Sequence, residues 1–278
     1  MDEKKVYENG IHDISNNEYH ASSGISRSSL LEFKRSPYHF WHKYMVERSD
    51  SADPSAALVM GNLIHTMVLE PHKFDDEFVV RPEMDRRTNA GKFAYNQFIS
   101  TMAGRMSVTK DQVNQADLIA NSILTNELCK EMLEGCEIEK SIYFTHLGTG
   151  IQCKVRPDAF KGGLVIDLKT TADASYRSFQ NSAYKFGYFL QAAMIDYAFL
   201  SQGMKMEKFI FIVVEKEPPY AVAVYVLDEE AIVYGVKQFN SLIDSFSQCS
   251  KADKWPGFGI QTLTVPNYAN YEIEMELE

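Results

Sequence analysis

The pattern of apolar and polar positions divides the chain into a helical first half, a strand-rich centre and a return to helix. Residues through about Tyr19 are polar and read as a partly extended arm. Ser26 can cap a helix in which Leu30, Leu31 and Phe33 follow, and Ser36-Pro37 ends it. Tyr38 to Met45 starts another helix, whose aromatics Tyr38, Phe40, Trp41 and Tyr44 read as core rather than as a base-stacking surface. Asp50 to Ser55 is a turn-like linker. Ala56 to Glu70 carries Leu58, Val59, Leu63, Ile64, Met67 and Val68, a mostly buried helix stopped by Pro71. A polar basic loop over 81–92 follows, then helices over much of 93–103 and 111–135.

The period then shortens to two. Glu139–Thr145 and Ile151–Arg156 predict a hairpin around Leu147-Gly148-Thr149-Gly150. Leu164-Val165-Ile166 predicts a buried strand opened by the turn Lys161-Gly162-Gly163. A helix is expected over 178–201, then strands over 208–214 and 221–226 on either side of Pro218-Pro219. Asp228 can cap a long amphipathic helix reaching Cys249, and the tail YEIEMELE alternates like an edge strand with an acidic outer face. Strands in the middle with helices before and after predict an α/β core on a mixed sheet flanked by helices. The reading is one domain over 1–278: an arm over 1–20, a mainly helical part over 21–135 and a catalytic α/β core over 136–278.

Composition changes little of this. The 278 residues are 45% hydrophobic and 24% charged, enough for a full core. No apolar run reaches the length of a membrane span and the first thirty residues lack a signal pattern, so a cytoplasmic location and no membrane partner are expected. A net charge of −10 argues against a non-specific nucleic-acid coat protein but leaves open a locally basic cleft. Cys129, Cys136, Cys153 and Cys249 form no CxxC pair and read as reduced, mostly buried thiols.

The candidate chemistry lies in RPDAFKGGLVIDLKTT, residues 156–171. Side chains alternate along a strand, so Asp167 and Lys169 share a face, and Asp158 can reach it. Carboxylate oxygens suit Mg²⁺ or Mn²⁺, and phosphodiester hydrolysis needs a neutralised phosphate, an aligned water and a stabilised leaving oxygen. Asp158 and Asp167 fit as ligands, and Lys169 fits as the group that orients the water or stabilises the phosphate. The same three residues also read as an ion pair at a strand end. His65 on the helix 56–70 reads either as a core histidine or as a third ligand, and Gly61 one turn earlier would allow close backbone approach. Tyr188 and Gln191 share a helix face, for contact with substrate, water or phosphate, or for plain packing. Glu139 is either an extra acid beside a metal or a strand-end charge. Arg86, Arg87 and Lys92 are either a solvated run or a grip on DNA phosphate.

Taken in order, Gly61–His65, Arg156-Pro157-Asp158, Asp167–Lys169 and the Gln191 helix resemble the PD-(D/E)xK nuclease superfamily in its RecB-like branch. More closely they are similar to RecE-type phage and prophage exonucleases (exonuclease VIII), together with Tyr19-His20, ISRSSL, RSP, GNLIHTMVLEP, DRRTNAGK and WPGF, spanning about 19 to 268. The resemblance implies a restriction-endonuclease-like core and metal-dependent 5′→3′ degradation of linear double-stranded DNA that leaves a 3′ single-stranded tail. It implies His65, Asp158 and Asp167 as metal ligands, with the Leu168 carbonyl a further one, Lys169 as the catalytic lysine and Gln191 as the helix glutamine. It also implies a homo-oligomer, trimer or tetramer, and a single-strand annealing recombinase as partner. One position departs: the pattern places a tyrosine four residues after the glutamine, where this chain has Ile195, and Tyr188 or Tyr197 could take its place. The alternatives are an endonuclease or repair nuclease on the same core, or a DNA-binding relative without catalysis.

Overall fold

The computed structural model describes residues 4–46, 55–85 and 87–265. In chain order the elements are β1 (Gly10–His12), α1 (Asn16–Ala21), α2 (Arg27–Arg35), α3 (Pro37–Trp41) with a π-helical turn over His42–Val46, α4 (Ala56–Leu69), α5 (Phe74–Glu77), β2 (Phe78–Val80), α6 (Asn89–Thr101), β3 (Met106–Val108), α7 (Lys110–Leu124) and α8 (Glu127–Leu133). The second half adds β4 (Glu137–Ile138), β5 (Ser141–Thr145), β6 (Gln152–Val155), β7 (Ala159–Lys161), β8 (Leu164–Thr171), α9 (Tyr176–Lys185), α10 (Tyr188–Ser201), β9 (Lys208–Glu215), β10 (Val222–Val226) and α11 (Glu229–Ala252).

A five-stranded sheet in the order β10-β9-β8-β7-β4 forms the centre. Only β8 and β9 pair in parallel, over eight residues from Leu164↔Lys208 to Thr171↔Glu215. A parallel pair needs a crossover, and α9 and α10 supply it. The strand residues divide by the two-residue period. Val165, Phe209, Phe211 and Val213 pack with α10, α11 and α2, whereas Ile166, Leu168, Ile212 and Val214 pack with α4 and α7. Helices thus cover both faces, as the mixed α/β expectation requires. The β5–β6 hairpin forms where expected but joins β1 in a separate three-stranded sheet.

Several expectations change. Residues 10–21 are no free arm: β1 pairs with β5, and Ser15 caps α1. The helical part also holds a two-stranded parallel sheet, β2 with β3. The helix expected over 111–135 is two, because the Asn126 side chain caps a fresh start at α8. The helix expected over 178–201 is also two, broken at Gly187. There φ is +68°, and a Cβ would stand 2.7 Å from Leu31 Cδ2 of α2. Lys92 lies inside α6 rather than in a loop, since Thr88 already caps that helix. Of the aromatic quartet only Phe40 is fully buried, while Tyr38 is 48% exposed. At Gly61 no protein atom comes within 4 Å of the place a Cβ would take, so no strand approaches there. All four cysteines are free, Cys129 and Cys153 buried, Cys136 and Cys249 half-buried. The linker 50–54, Arg86 and the acidic tail lie outside the described residues. Among the described residues no helix is long and apolar enough to cross a membrane.

Candidate active site

The site exists because β7 is short. It covers β8 only from Leu164 to Ile166. Beyond that point one edge of β8 has lost its strand partner, and buried backbone groups must be bonded elsewhere. Two side chains take over. Leu168 N donates to Asp158 Oδ2 at 2.7 Å, and Leu168 O lies 2.9 Å from His65 Nε2. A carbonyl can only accept, so Nε2 carries the hydrogen and a neutral imidazole presents the Nδ1 lone pair. Nδ1 faces Asp158 Oδ2 at 3.6 Å. The Leu168 carbonyl, expected as a ligand, is thus bonded to His65 here and orients the ring.

Glu139 completes a donor cluster. One ligand atom from each of His65, Glu139 and Asp158 falls within 4.8 Å of the others. Glu139 does not open the hairpin strand as expected. It sits in the turn between β4 and β5 at φ +51°, uncommon for a residue with a side chain. Its N–H donates to the Asp158 carbonyl at 3.0 Å, and Arg156 Nε donates to its Oε2 at 2.6 Å. Burial, then the Asp158 charge, push the Glu139 carboxyl up to about 7 against the opposing pull of His65 and Arg156.

Asp167 lies beside this cluster on the other face of the sheet, fully buried. Gln191 Nε2 donates to its Oδ1 at 2.6 Å, and Lys169 forms an ion pair with its Oδ2. Burial raises the Asp167 pKa, and the Lys169 charge opposes the rise. The Lys169 ammonium lies 4.9 Å from the centre of the Tyr188 ring, itself packed on Phe179 and Phe211. His65, Glu139, Asp158, Lys169 and Gln191 all line one open cleft of about 2500 Å³.

The chain therefore brings together His65, Glu139, Asp158, Asp167, Leu168, Lys169, Tyr188 and Gln191. Arg87 and Lys92 are not in that cleft: Arg87 is exposed and paired with Asp85 at 2.9 Å, and Lys92 is exposed on α6. Arg86 lies outside the described residues. Tyr197 is also elsewhere, its hydroxyl accepting from Leu147 N at 2.8 Å and its ring on Phe144, His146 and Phe239. Tyr188 is the one of the two tyrosines at the site. Two arginines escaped the sequence reading. Arg156 holds Glu139, and Arg27 Nη1 donates to Gln191 Oε1 at 3.0 Å. Arg27 leaves a trace in the sequence, since a cation in the first turn of a helix opposes the macrodipole and needs a partner elsewhere.

The donor set fits a hard divalent cation. It combines carboxylate oxygen with imidazole nitrogen, and one carboxylate is pushed toward protonation by burial and by another carboxylate, which a cation would reverse.

Comparison with known proteins bears on the fold and the family. A solved structure from Eubacterium rectale, described as a "Putative exonuclease", superposes with a TM-score of 0.61 at 13% identity, covering 92% of this chain and 96% of that one. At that identity the likeness shows the fold. The solved structure of SSO0001, 18% identical over 67% of this chain and 86% of that one, superposes at a TM-score of 0.29, too low to argue from. No curated protein matches. The family model of the PDDEXK-like domain of unknown function (DUF3799) matches residues 26–260. With its mixed sheet, the carboxylates Asp158 and Asp167 and the lysine two residues on, the chain belongs to that family, within the PD-(D/E)xK nuclease superfamily.

Proposed function

We propose that this chain is a divalent-metal-dependent exodeoxyribonuclease, acting on linear double-stranded DNA in the 5′→3′ direction and leaving 3′ single-stranded tails for recombination. The observation that carries the nuclease reading is the cluster of His65, Glu139 and Asp158 at the open edge of β8, next to Lys169 in one cleft. Direction and end product rest on the sequence resemblance to RecE-type exonucleases.

In this reading His65, Asp158 and Asp167 hold Mg²⁺, with Mn²⁺ as a substitute, and Glu139 joins them. A bound divalent ion neutralises phosphate charge and makes water more acidic. The chain's own groups do the rest. His65 is fixed by Leu168 O, and Asp158 by Leu168 N, so both are set by one residue of β8. The Lys169 ammonium, held between Asp167 and the Tyr188 ring, donates hydrogen bonds to the attacking water or to a phosphate oxygen. Water oxygen adds to phosphorus, the P–O bond to the leaving sugar breaks, and a proton ends on the leaving oxygen. We further propose a homo-oligomer, trimer or tetramer, that hands its tails to a single-strand annealing recombinase.

The test is digestion of linear duplex DNA, with 5′-phosphate or 5′-hydroxyl ends, against a closed circle, in Mg²⁺ or in EDTA. Loss of the linear duplex alone, in Mg²⁺ alone, is the expected result. Cleavage of the circle would replace the exonuclease with an endonuclease, and cleavage of neither would leave a DNA-binding relative.

A further inference from the structure

We infer that Arg27 is a positioning residue of the site, acting on Asp167 through Gln191. The inference rests on the metal-dependent reading above and adds to it a residue from outside the catalytic sheet.

Three contacts form one chain. Arg27 Nη1 donates to Gln191 Oε1 at 3.0 Å, and Gln191 Nε2 donates to Asp167 Oδ1 at 2.6 Å. The Arg27 guanidinium also lies 5.9 Å from the Tyr188 ring, the ring that holds Lys169. A carboxamide has two ends, and either can face a given neighbour. A guanidinium has donors only and an ionised carboxylate acceptors only. With Arg27 on one side and Asp167 on the other, only one orientation of the Gln191 amide satisfies both. Without Arg27 the Asp167 carboxylate still selects that end of the amide, but the Gln191 carbonyl oxygen loses its donor, so the side chain that places Asp167 is held at one end only.

The fold holds Arg27 rigidly for this task. Ser26 and Ser29 form a reciprocal capping box that fixes the start of α2, one residue from Arg27. Two residues before Arg27, Ile25 is tied to β6 by Ile25 N→Gln152 O and Lys154 N→Ile25 O, both 2.9 Å. From the other side, Leu31 of α2 fits against Gly187, immediately before Tyr188 and four residues before Gln191. The side chain is half-buried in the cleft wall, so its donors find few waters to compete with Gln191. A cation at the first position of α2 is disfavoured by the helix dipole, and its contact with Gln191 is favourable there.

The experiment is a double-mutant cycle on the full-length protein, comparing wild type, Arg27→Met, Gln191→Ala and the pair. Met keeps an apolar stem beside Tyr188, and melting curves establish that each variant is folded. Mn²⁺ affinity is read by calorimetry, and kcat and KM on linear duplex DNA are read separately. Supporting groups of this kind change metal affinity or activity by about 10–100-fold. Arg27→Met is expected to weaken Mn²⁺ binding by about tenfold and to lower kcat with KM for DNA unchanged. The double variant is expected to be no worse than Gln191→Ala alone. Unchanged Mn²⁺ affinity in folded Arg27→Met, a raised KM with kcat intact, or effects that multiply in the pair would each overturn the role. A wild type that binds Mn²⁺ yet cuts no DNA would defeat the nuclease reading, while the calorimetric cycle would still decide the role of Arg27.

Discussion

Asp158 and Asp167 are two aspartates on either side of one strand end, and they live in opposite circumstances. Asp158 stands with Glu139 and His65 in a cluster where burial and the Asp158 charge outweigh the Arg156 guanidinium and drive Glu139 toward protonation. Asp167 is buried deeper, but Lys169 forms an ion pair with it and Gln191 donates to its Oδ1, which leaves Oδ2 facing the ammonium with no hydrogen bond. The first region offers a donor set for a bound cation; the second already faces a cation of the chain's own. In the proposed mechanism Asp158 joins His65 and Glu139 at the metal, while Asp167 both adds a ligand oxygen and places the lysine. The division follows from β7 ending early, which leaves Leu168 bonded to side chains from α4 and from the loop before β7 rather than to a strand.

Removing the cation of the second region should have the largest effect. Lys169→Ala is expected to lower single-turnover cleavage by at least about 10²–10³-fold, as loss of a transition-state donor does, while DNA and Mn²⁺ still bind. Substantial cleavage by that variant would break the contrast. Next comes the first region. Asp158→Asn keeps an oxygen for Leu168 N but loses the charge of a direct ligand, and Mn²⁺ affinity by calorimetry should fall by at least about a hundredfold, the upper end of what losing a group that merely supports a ligand costs.

A smaller effect concerns pH. The folded, metal-free protein holds the Glu139 proton up to about 7, whereas the unfolded chain releases it near the ordinary 4.5. The folded state therefore binds more protons over that window, and stability falls as pH rises through it. The Tm without metal should decline between about pH 5 and pH 7.5. Glu139→Gln should flatten the decline, and Asp167 and Asp196, whose pKa values are raised in the same direction, contribute to any remainder. Saturating Mn²⁺ should weaken it in the wild type, and a Tm that rises with pH in the metal-free wild type would contradict a Glu139 held protonated by its surroundings. The smallest effect is a control. Tyr197→Phe loses the bond to Leu147 N, at a cost of about 1 kcal/mol in chemical denaturation, and leaves cleavage unchanged.

The strand of Asp167 and Lys169 was legible in the sequence because a run of branched apolar residues opened by Gly162-Gly163 is a local signal. So were the β5–β6 hairpin, α4 and the cap of α11, each marked by turn or capping residues nearby. The break at Gly187 was not legible, because α10 is apolar nearly all round and one glycine in such a run does not announce a left-handed turn. Only the packing of Leu31 against it shows the need. Arg27 and Gln191 are 164 residues apart, and nothing local links them. Glu139 was legible as a candidate but not as a turn residue, since its backbone conformation is fixed by the Asp158 carbonyl. The expected grip of Arg87 and Lys92 on DNA drew on charge, on the fit of arginine to phosphate and on the family resemblance of their loop, none of which says whether the loop faces the cleft of His65 and Lys169.

The central claim is that His65, Glu139 and Asp158 form a metal centre beside Lys169. Its most direct test is a crystal soaked in Mn²⁺ and measured at a wavelength where manganese scatters anomalously. A single strong anomalous peak bounded by His65 Nδ1 and the carboxylates of Glu139 and Asp158 is the expected result. A crystal saturated with Mn²⁺ that shows no peak there, or shows its peaks only elsewhere, would contradict it.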